Sequence, residues 1–404
     1  MGNNIKKNIK NRIKKEGLKV CKFINNVNLY CRWKCGDQAV GGEHIVNNIN
    51  YHDEENQKRV LIVYLDLIKT DSELCEEGAV HTNRLELFQI IRYFIKCDYI
   101  IDVCANYDLD AVENIRKHKY DIVFGLGEVF RRVAAETDAF RILYLTENPY
   151  DISYMREKER VDYFYERTGK RVDLQRTGSF FKKDDEKLAD AIICFGDDKF
   201  LSDLSVPVRR ILPSMIFNEN FRDYSKRKNN NFLILGTDGF IHKGVDLLIE
   251  VFNKHPEWNL YMCGHCIEEK VKEHGYVLNS NIHNCGYIDI KSDIFVELAE
   301  KCMFIVLPSC SEAASTAVMT GMCHGMIPII MKDNGMDELT QYCEFFEDYR
   351  IESIEKKIHE IIEEPIELLV DKGKMIREYA KETYSLEKFT KDFEKVFDEI
   401  VKEI

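Results

Sequence analysis

The chain has 404 residues, 45% of them apolar and 31% charged, with a net charge of −13. That length favours two domains, no apolar run is long enough for a transmembrane helix, and an acidic body excludes nucleic acid as the main partner. Fourteen cysteines scattered without framework spacing point to a reducing cytoplasm rather than a disulfide scaffold.

Residues 1–57 read as an arm, first basic and then Asn-rich. Residues 1–36 hold ten Lys/Arg and one acid, a local charge of +9, so the rest of the chain carries −22. No apolar region follows the charged start, so no secretory signal is expected. Lys6 stands where a myristoylation pattern wants Ser or Thr. Ile5, Ile9 and Ile13 lie four apart among lysines, which fits a helix lying on an anionic membrane surface; a disordered basic tail is the other reading.

Arg59 to Asp66 is the first buried-strand pattern. A long loop, 67–83, ends in Gly78-Ala-Val-His81-Thr82-Asn83. Helix 85–96, strand 99–104, helix 111–119, strand 120–124, helix 128–137 and strand 140–145 follow. A charged excursion over 155–187 reads as a solvated helical surface, with a site for a phosphorylated acceptor as its functional alternative. Strands at 191–195 and 209–212 close the first series. This alternation predicts a doubly wound α/β fold with a parallel sheet.

The polar stretch 218–231 reads as a linker. A second α/β series starts at Phe232, with helix 244–254, strand 260–263, helix 267–273, strand 282–285 and helix 291–301. Strand 303–307, helix 312–324 and strand 327–331 complete it. Helices near 351–363 and 366–383 come next. The last helix, 386–404, buries Leu386, Phe389, Phe393, Phe397, Ile400 and Ile404 on one face. The predicted domains are an arm (1–57), a first domain (58–217), a linker (218–231), a second domain (232–385) and a final helix (386–404).

In doubly wound sheets ligands bind at the carboxyl ends of the strands, where helix amino ends offer open amides and a positive dipole end to phosphates. Glu312 sits at such a junction. The turn before helix 244–254 holds Gly236, Gly239, Lys243 and Gly244, and Lys243 puts a positive charge where a diphosphate would lie. It is not a P-loop, because G-x-x-x-x-G-K-[ST] is not matched. A surface lysine beside an ordinary turn is the plainer reading. Cys263-Gly-His-Cys266 lacks a second ligand pair at zinc spacing, so no metal is expected. Phe124-Gly-Leu-Gly-Glu-Val-Phe130 imitates a dinucleotide fingerprint but lacks the third Gly and does not follow its domain's first strand.

The second series resembles the group 1, family-4-like glycosyltransferases. The residues are Gly236…Lys243-Gly244-Val-Asp-Leu-Leu-Ile-Glu, Leu260-Tyr-Met-Cys-Gly264, Asn284-Cys-Gly-Tyr287, Leu307-Pro-Ser-Cys-Ser-Glu312 with Gly325-Met-Ile-Pro-Ile329, and Gly335-Met-Asp-Glu338. They occur in the family's order across about 232–340. Over 58–215 the likeness is only architectural. The resemblance implies two Rossmann-like domains facing a central cleft, the GT-B fold, with the final helix crossing back to the first domain. It implies a metal-independent, retaining hexosyltransferase that needs no cofactor and takes a UDP- or GDP-linked sugar donor. A saccharide or polyprenyl-lipid-linked acceptor, and a cytoplasmic or peripheral inner-membrane place in surface polysaccharide or glycolipid synthesis, follow from family habit.

Carried over by position, Lys243 neutralises the donor diphosphate, the amides of Ala313, Ala314 and Ser315 bind phosphate oxygens, and Glu312 holds donor-sugar hydroxyls. Gly236, Gly239, Gly264, Thr320 and Glu338 complete the donor-binding set. His81 is a candidate acceptor base or sugar contact, or else a loop histidine without a role. Glu147 is a second acceptor candidate, or a plain capping acid. The chain departs from the family at three places. Thr320 stands where the second motif Glu binds the ribose. Thr237-Asp238 stands where an Arg supplies a second diphosphate cation. Thr146-Glu147-Asn148 stands where many members keep a His. These departures keep two alternatives open: a weak or inactive GT-B partner subunit, and a nucleotide-sugar epimerase.

Overall fold

A computed structural model describes residues 40–41, 44–52, 56–65, 82–218, 223–236 and 238–402. The chain divides into two compact units, residues 1–141 and 142–404.

The first unit contains strands β1 (Val40–Gly41), β2 (Ile45–Ile49), β3 (Arg59–Tyr64), β4 (Ile100–Ala105) and β5 (Ile122–Gly125). They lie in the order β1-β2-β4-β3-β5. β3 pairs in parallel with both β4 and β5. Helices α1 (Thr82–Lys96), α2 (Val112–Ile115) and α3 (Gly127–Ala134) connect them. β3 and β4 are buried almost throughout, as expected of strands covered on both faces. The arm reading does not hold for residues 45–49, which form a strand antiparallel to β4. The reason lies in Asp102 of β4, whose buried carboxylate accepts bonds from the Arg59 guanidinium at 2.8 Å, the Tyr120 hydroxyl at 2.7 Å and the Asn48 amide at 2.7 Å. A buried charge needs such partners, and Asn48 supplies one from a backbone at φ 61°, a conformation asparagine tolerates.

The second unit begins in β6 (Phe140–Leu145), followed by α4 (Tyr150–Thr168), β7 (Ala191–Cys194) and β8 (Val208–Arg210). β6, β7 and β8 pair in parallel. A second sheet follows, with strands β9 (Lys228–Leu235), β10 (Asn259–Cys263), β11 (Ile282–Gly286), β12 (Cys302–Leu307), β13 (Ile327–Met331) and β14 (Glu344–Phe346). Its order is β11-β10-β9-β12-β13-β14 and every pairing is parallel. Helices α5 (Val245–Lys254), α6 (Ile267–His274), α7 (Asp293–Lys301) and α8 (Thr316–Cys323) make its crossovers. The strand order reverses at β9, between β10 and β12, which is the switch point where ligands enter such sheets. Parallel pairing thus joins β4, β3 and β5 in the first unit, and β6 to β8 and all of β9 to β14 in the second, as in Rossmann-like domains.

Helices α9 (Ile351–Ile362), α10 (Ile366–Thr383) and α11 (Leu386–Val401) end the described chain. α11 buries Phe389, Phe393, Phe397 and Ile400 on the predicted face, and Glu399 accepts a bond from Arg209 of β8 at 3.2 Å.

The excursion over 155–187 is not a solvated surface throughout. α4 runs through it, and its Glu157 and Arg160 are fully buried. Arg160 donates to Asp246 of α5 at 3.0 Å and to the Ile241 carbonyl at 2.9 Å. Arg167 pairs with Asp246 and Glu250. Charged side chains on both α4 and α5 thus form a buried ionic seam, and local charge density cannot distinguish that from an exposed face.

Candidate functional site around Lys243 and Glu312

The turn between β9 and α5 and the loop between β12 and α8 meet at the carboxyl end of the second sheet. Gly244 makes the meeting possible. Its φ is +71°, and a Cβ there would lie 2.6 Å from the Pro308 carbonyl oxygen, so a side chain would force the two loops apart. The Cys310 amide donates to the His242 carbonyl at 3.0 Å, tying the two loops directly.

Lys243 and Glu312 form an ion pair across this junction, and their side chains keep only 13% and 10% exposure. Burial pushes the Glu312 carboxyl upward, but the Lys243 ammonium and the neighbouring His242 outweigh it and hold the acid below the usual carboxylate range. The Glu312 amide donates to Asn334 at 3.1 Å and its carbonyl accepts from the Gly335 amide at 2.8 Å, so its backbone is fixed on both sides.

His242 is buried, with Nε2 3.1 Å from the Ser311 carbonyl and Nδ1 3.1 Å from Glu157. Both ring nitrogens face acceptors, so the imidazolium form suits the site. Burial opposes that charge, but Cys310 and Glu157 raise the histidine to about 9. Burial likewise works against the Glu157 carboxylate, yet the His242 bond and the Thr177 amide bring it down to about 2. Glu157 also accepts from the amides of Gln175 at 2.8 Å, Arg176 at 3.0 Å and Thr177 at 2.7 Å. The Gln175 side chain in turn accepts from the Ile241 amide at 2.8 Å.

Other predicted residues surround this pair in varied ways. Gly236 donates to the Cys263 carbonyl at 2.8 Å and Gly264 to Gly286 at 2.9 Å, at the ends of β9 and β10. Glu147 accepts from Arg176 at 2.9 Å. Glu338 pairs with Arg210, and burial, which Arg210 only partly offsets, raises its pKa. The helix expected from Glu312 begins instead at Thr316. Ser315, its N-cap, turns its amide to the Met336 sulfur at 3.3 Å, and the open helix amides fall one turn later than predicted, at Thr316 to Val318. The Thr320 hydroxyl donates to the Thr316 carbonyl at 2.7 Å. His81 lies outside the described residues.

Sequence reading missed Gln175 and His242, and took Glu157 and Arg176 only as part of the charged excursion, with a phosphorylated acceptor as its functional alternative. His242 precedes Lys243, a nearby signal; the others come from the excursion, far away in the chain. Asn148 also gains a role: its Nδ2 donates to Ser311 at 3.0 Å, while its buried Oδ1 has no hydrogen-bond partner among the described residues.

The sequence profile of the family described as "Glycosyl transferases group 1" matches residues 216–383, which contain β9 to α10 and the Lys243–Glu312 junction. These residues are a group 1 glycosyltransferase domain. No curated protein matches the chain. Among solved structures, the chain is similar to sucrose-phosphate synthase from Thermosynechococcus elongatus, at 12% identity and a TM-score of 0.57, covering 86% of this chain and 100% of that one. It is similar to TarM of S. aureus, in a complex with fondaparinux, alpha-GlcNAc-glycerol and UDP, at 16% identity and a TM-score of 0.51, covering 71% of this chain and 58% of that one. It is also similar to WaaG, a glycosyltransferase involved in lipopolysaccharide biosynthesis, at 14% identity and a TM-score of 0.50, covering 83% of this chain and 98% of that one. At these identities the likeness is one of fold, and that fold is GT-B. Among the described residues, no helix is long and apolar enough to cross a membrane.

Proposed function

We propose that this group 1 glycosyltransferase moves a hexose-type sugar from a UDP- or GDP-linked donor to a saccharide or lipid-linked acceptor, with retention of configuration and without a metal. The observation that carries the reading is the buried Lys243–Glu312 ion pair at the switch point of the second sheet. A donor diphosphate takes the place of Glu312 as the partner of Lys243, and the released carboxylate accepts bonds from donor-sugar hydroxyls. As the bond between the anomeric carbon and the phosphate oxygen breaks, its electron pair passes to that oxygen. In this reading Lys243 and the open amides at Thr316 to Val318 stabilise the developing charge, the largest common source of rate enhancement. The acceptor oxygen bonds to the anomeric carbon on the same face, and its proton goes to the leaving phosphate.

UDP in the TarM complex supports a nucleotide donor, and the lipopolysaccharide role of WaaG supports a surface glycolipid or polysaccharide pathway. Gly236, Gly239, Gly264 and Glu338 line the donor side in this reading, Ala313 and Ala314 lead into the helix amides, and Glu147 and His81 serve the acceptor. The membrane-surface role of the basic arm belongs to the same proposal; of the stretch 218–231 read as a linker, residues 228–231 are instead the start of β9.

One observation favours a second reading. The Thr320 hydroxyl donates inside its own helix, so its donor is not offered to a ribose, which suits a weak or inactive binding subunit. The purified protein should release nucleotide from at least one of a panel of UDP-, GDP- and dTDP-sugars when lipid extract is added. Binding without turnover would favour the second reading, and binding to no nucleotide sugar would sink the donor site.

A further inference from the structure

We propose that Arg176 supplies the second positive charge of the donor phosphate site, reaching the glycine turn from the α4–β7 connection rather than from the turn itself. The inference rests on the donor reading above and names a residue for it. The turn segment from Gly236 to Gly239 contains no cation, and its Asp238 is acidic and paired with Lys270 at 2.9 Å. Lys243 is therefore the one positive side chain that the turn from Gly236 to Gly244 offers to a diphosphate, apart from His242, which is buried against Glu157.

Arg176 lies against that turn. Gly239 has φ +74°, and a Cβ there would sit 2.9 Å from the Arg176 Cγ and 3.0 Å from its Cδ. The glycine thus makes room for the arginine stem. The guanidinium bonds Glu147 at 2.9 Å, and the side chain as a whole remains about one-third exposed, at 32%. Burial works against its charge, but Glu147, then Glu312 and Asp238, hold its pKa above the ordinary arginine value. Glu312 is thus the carboxylate that holds Lys243 and a charge that acts on Arg176. Each cation is held by a carboxylate, Lys243 by Glu312 and Arg176 by Glu147.

The backbone of Arg176 is as firmly set as its partners. Glu157 clamps three successive amides, 175 to 177, and bonds His242 with the same carboxylate. Gln175 ties the segment again to Ile241 and His242. The node that fixes the residue before Lys243 also fixes Arg176. A planar guanidinium, with N–H donors in a fixed fork, suits phosphate oxygens better than a lysine at the same place. Entry of a nucleoside diphosphate exchanges Glu147 for a phosphate as the partner of Arg176.

The test is calorimetric titration of the full chain with UDP and GDP, and with UMP and GMP. Wild type, Arg176→Ala and Arg176→Gln are compared, with circular dichroism as the check of fold. Loss of a charge-assisted bond should weaken diphosphate binding about 10- to 100-fold. Monophosphate binding should fall less, so the ratio of the two affinities should drop. If Arg176→Ala fails to fold, the Gln variant, which keeps the stem beside Gly239, carries the comparison. Folded variants that bind UDP or GDP as tightly as wild type would overturn the assignment of Arg176 and leave the donor reading standing. Wild type that binds none of the four nucleotides would overturn the donor reading and the assignment together.

Discussion

In the proposed reaction, Lys243 and Glu312 are each other's partner only while no donor is present. Alanine at either position removes a charge that the proposed reaction needs and leaves the other nearly buried and unpaired, which is costly. We predict that Lys243→Ala and Glu312→Ala each reduce transfer by at least about a hundredfold, the scale of losing a preorganised electrostatic contact, while circular dichroism is unchanged; near-wild-type transfer in either would show the roles are misplaced. At the same scale, Thr320→Glu restores the carboxylate that the family motif carries. It should lower the donor KM, and an unchanged KM would remove the ribose from that position. His242 and Glu157 set a pH window. The histidine is raised to about 9 in the folded chain, so its stabilising share is full below the ordinary value near 6.5 and is lost as pH climbs to about 9. The glutamate, brought down to about 2, contributes above its ordinary range and loses its share as pH falls toward 2. Thermal unfolding should therefore show a decline in stability between about pH 6.5 and 9 that His242→Gln abolishes. A decline of the same size in both proteins would assign it to other groups.

The elements that carry the site are joined through few contacts of high cost. α4 reaches α5 through Arg160 and Arg167 on Asp246, a pairing with fully buried Arg160 and Asp246 side chains. Removing one partner strands the others, so Asp246→Ala should cost about 3–5 kcal/mol in urea unfolding. A loss below 1 kcal/mol would mean that packing, not charge, holds α4 on α5. The turn at Gly244 is an independent test, since alanine meets both a positive φ and the Pro308 backbone. A cost of roughly 1–3 kcal/mol with a larger loss of donor binding is expected, because the loops of Lys243 and Glu312 must separate. β12 and β13 were legible from sequence because strands covered on both faces read as unbroken apolar runs. α11 was legible from its 3–4 spacing. β2 was not, because its Asn-rich run has no strand pattern and owes its place to Asp102, more than fifty residues away.

At the scale of the molecule, the acidic body and the basic first 36 residues make opposite demands. Deleting residues 2–36 should shift the protein from the membrane to the soluble fraction in a flotation assay, and an unchanged distribution would leave the arm without a membrane role. The order of α/β units, the positions of Lys243 and Glu312 and the face of α11 were all determined by the amino-acid sequence alone. Periodicity is local, and a strand followed by a glycine turn and a helix puts its ligand-facing residues at a known edge. What only the tertiary structure decided is which charges meet. Glu157 with His242, Arg160 with Asp246 and Arg176 with Glu147 join residues 29 to 86 positions apart. In sequence the charged residues of 155–187 look alike. Whether a carboxylate or guanidinium is solvated or buried depends on the partner that desolvates it, and no local pattern names that partner.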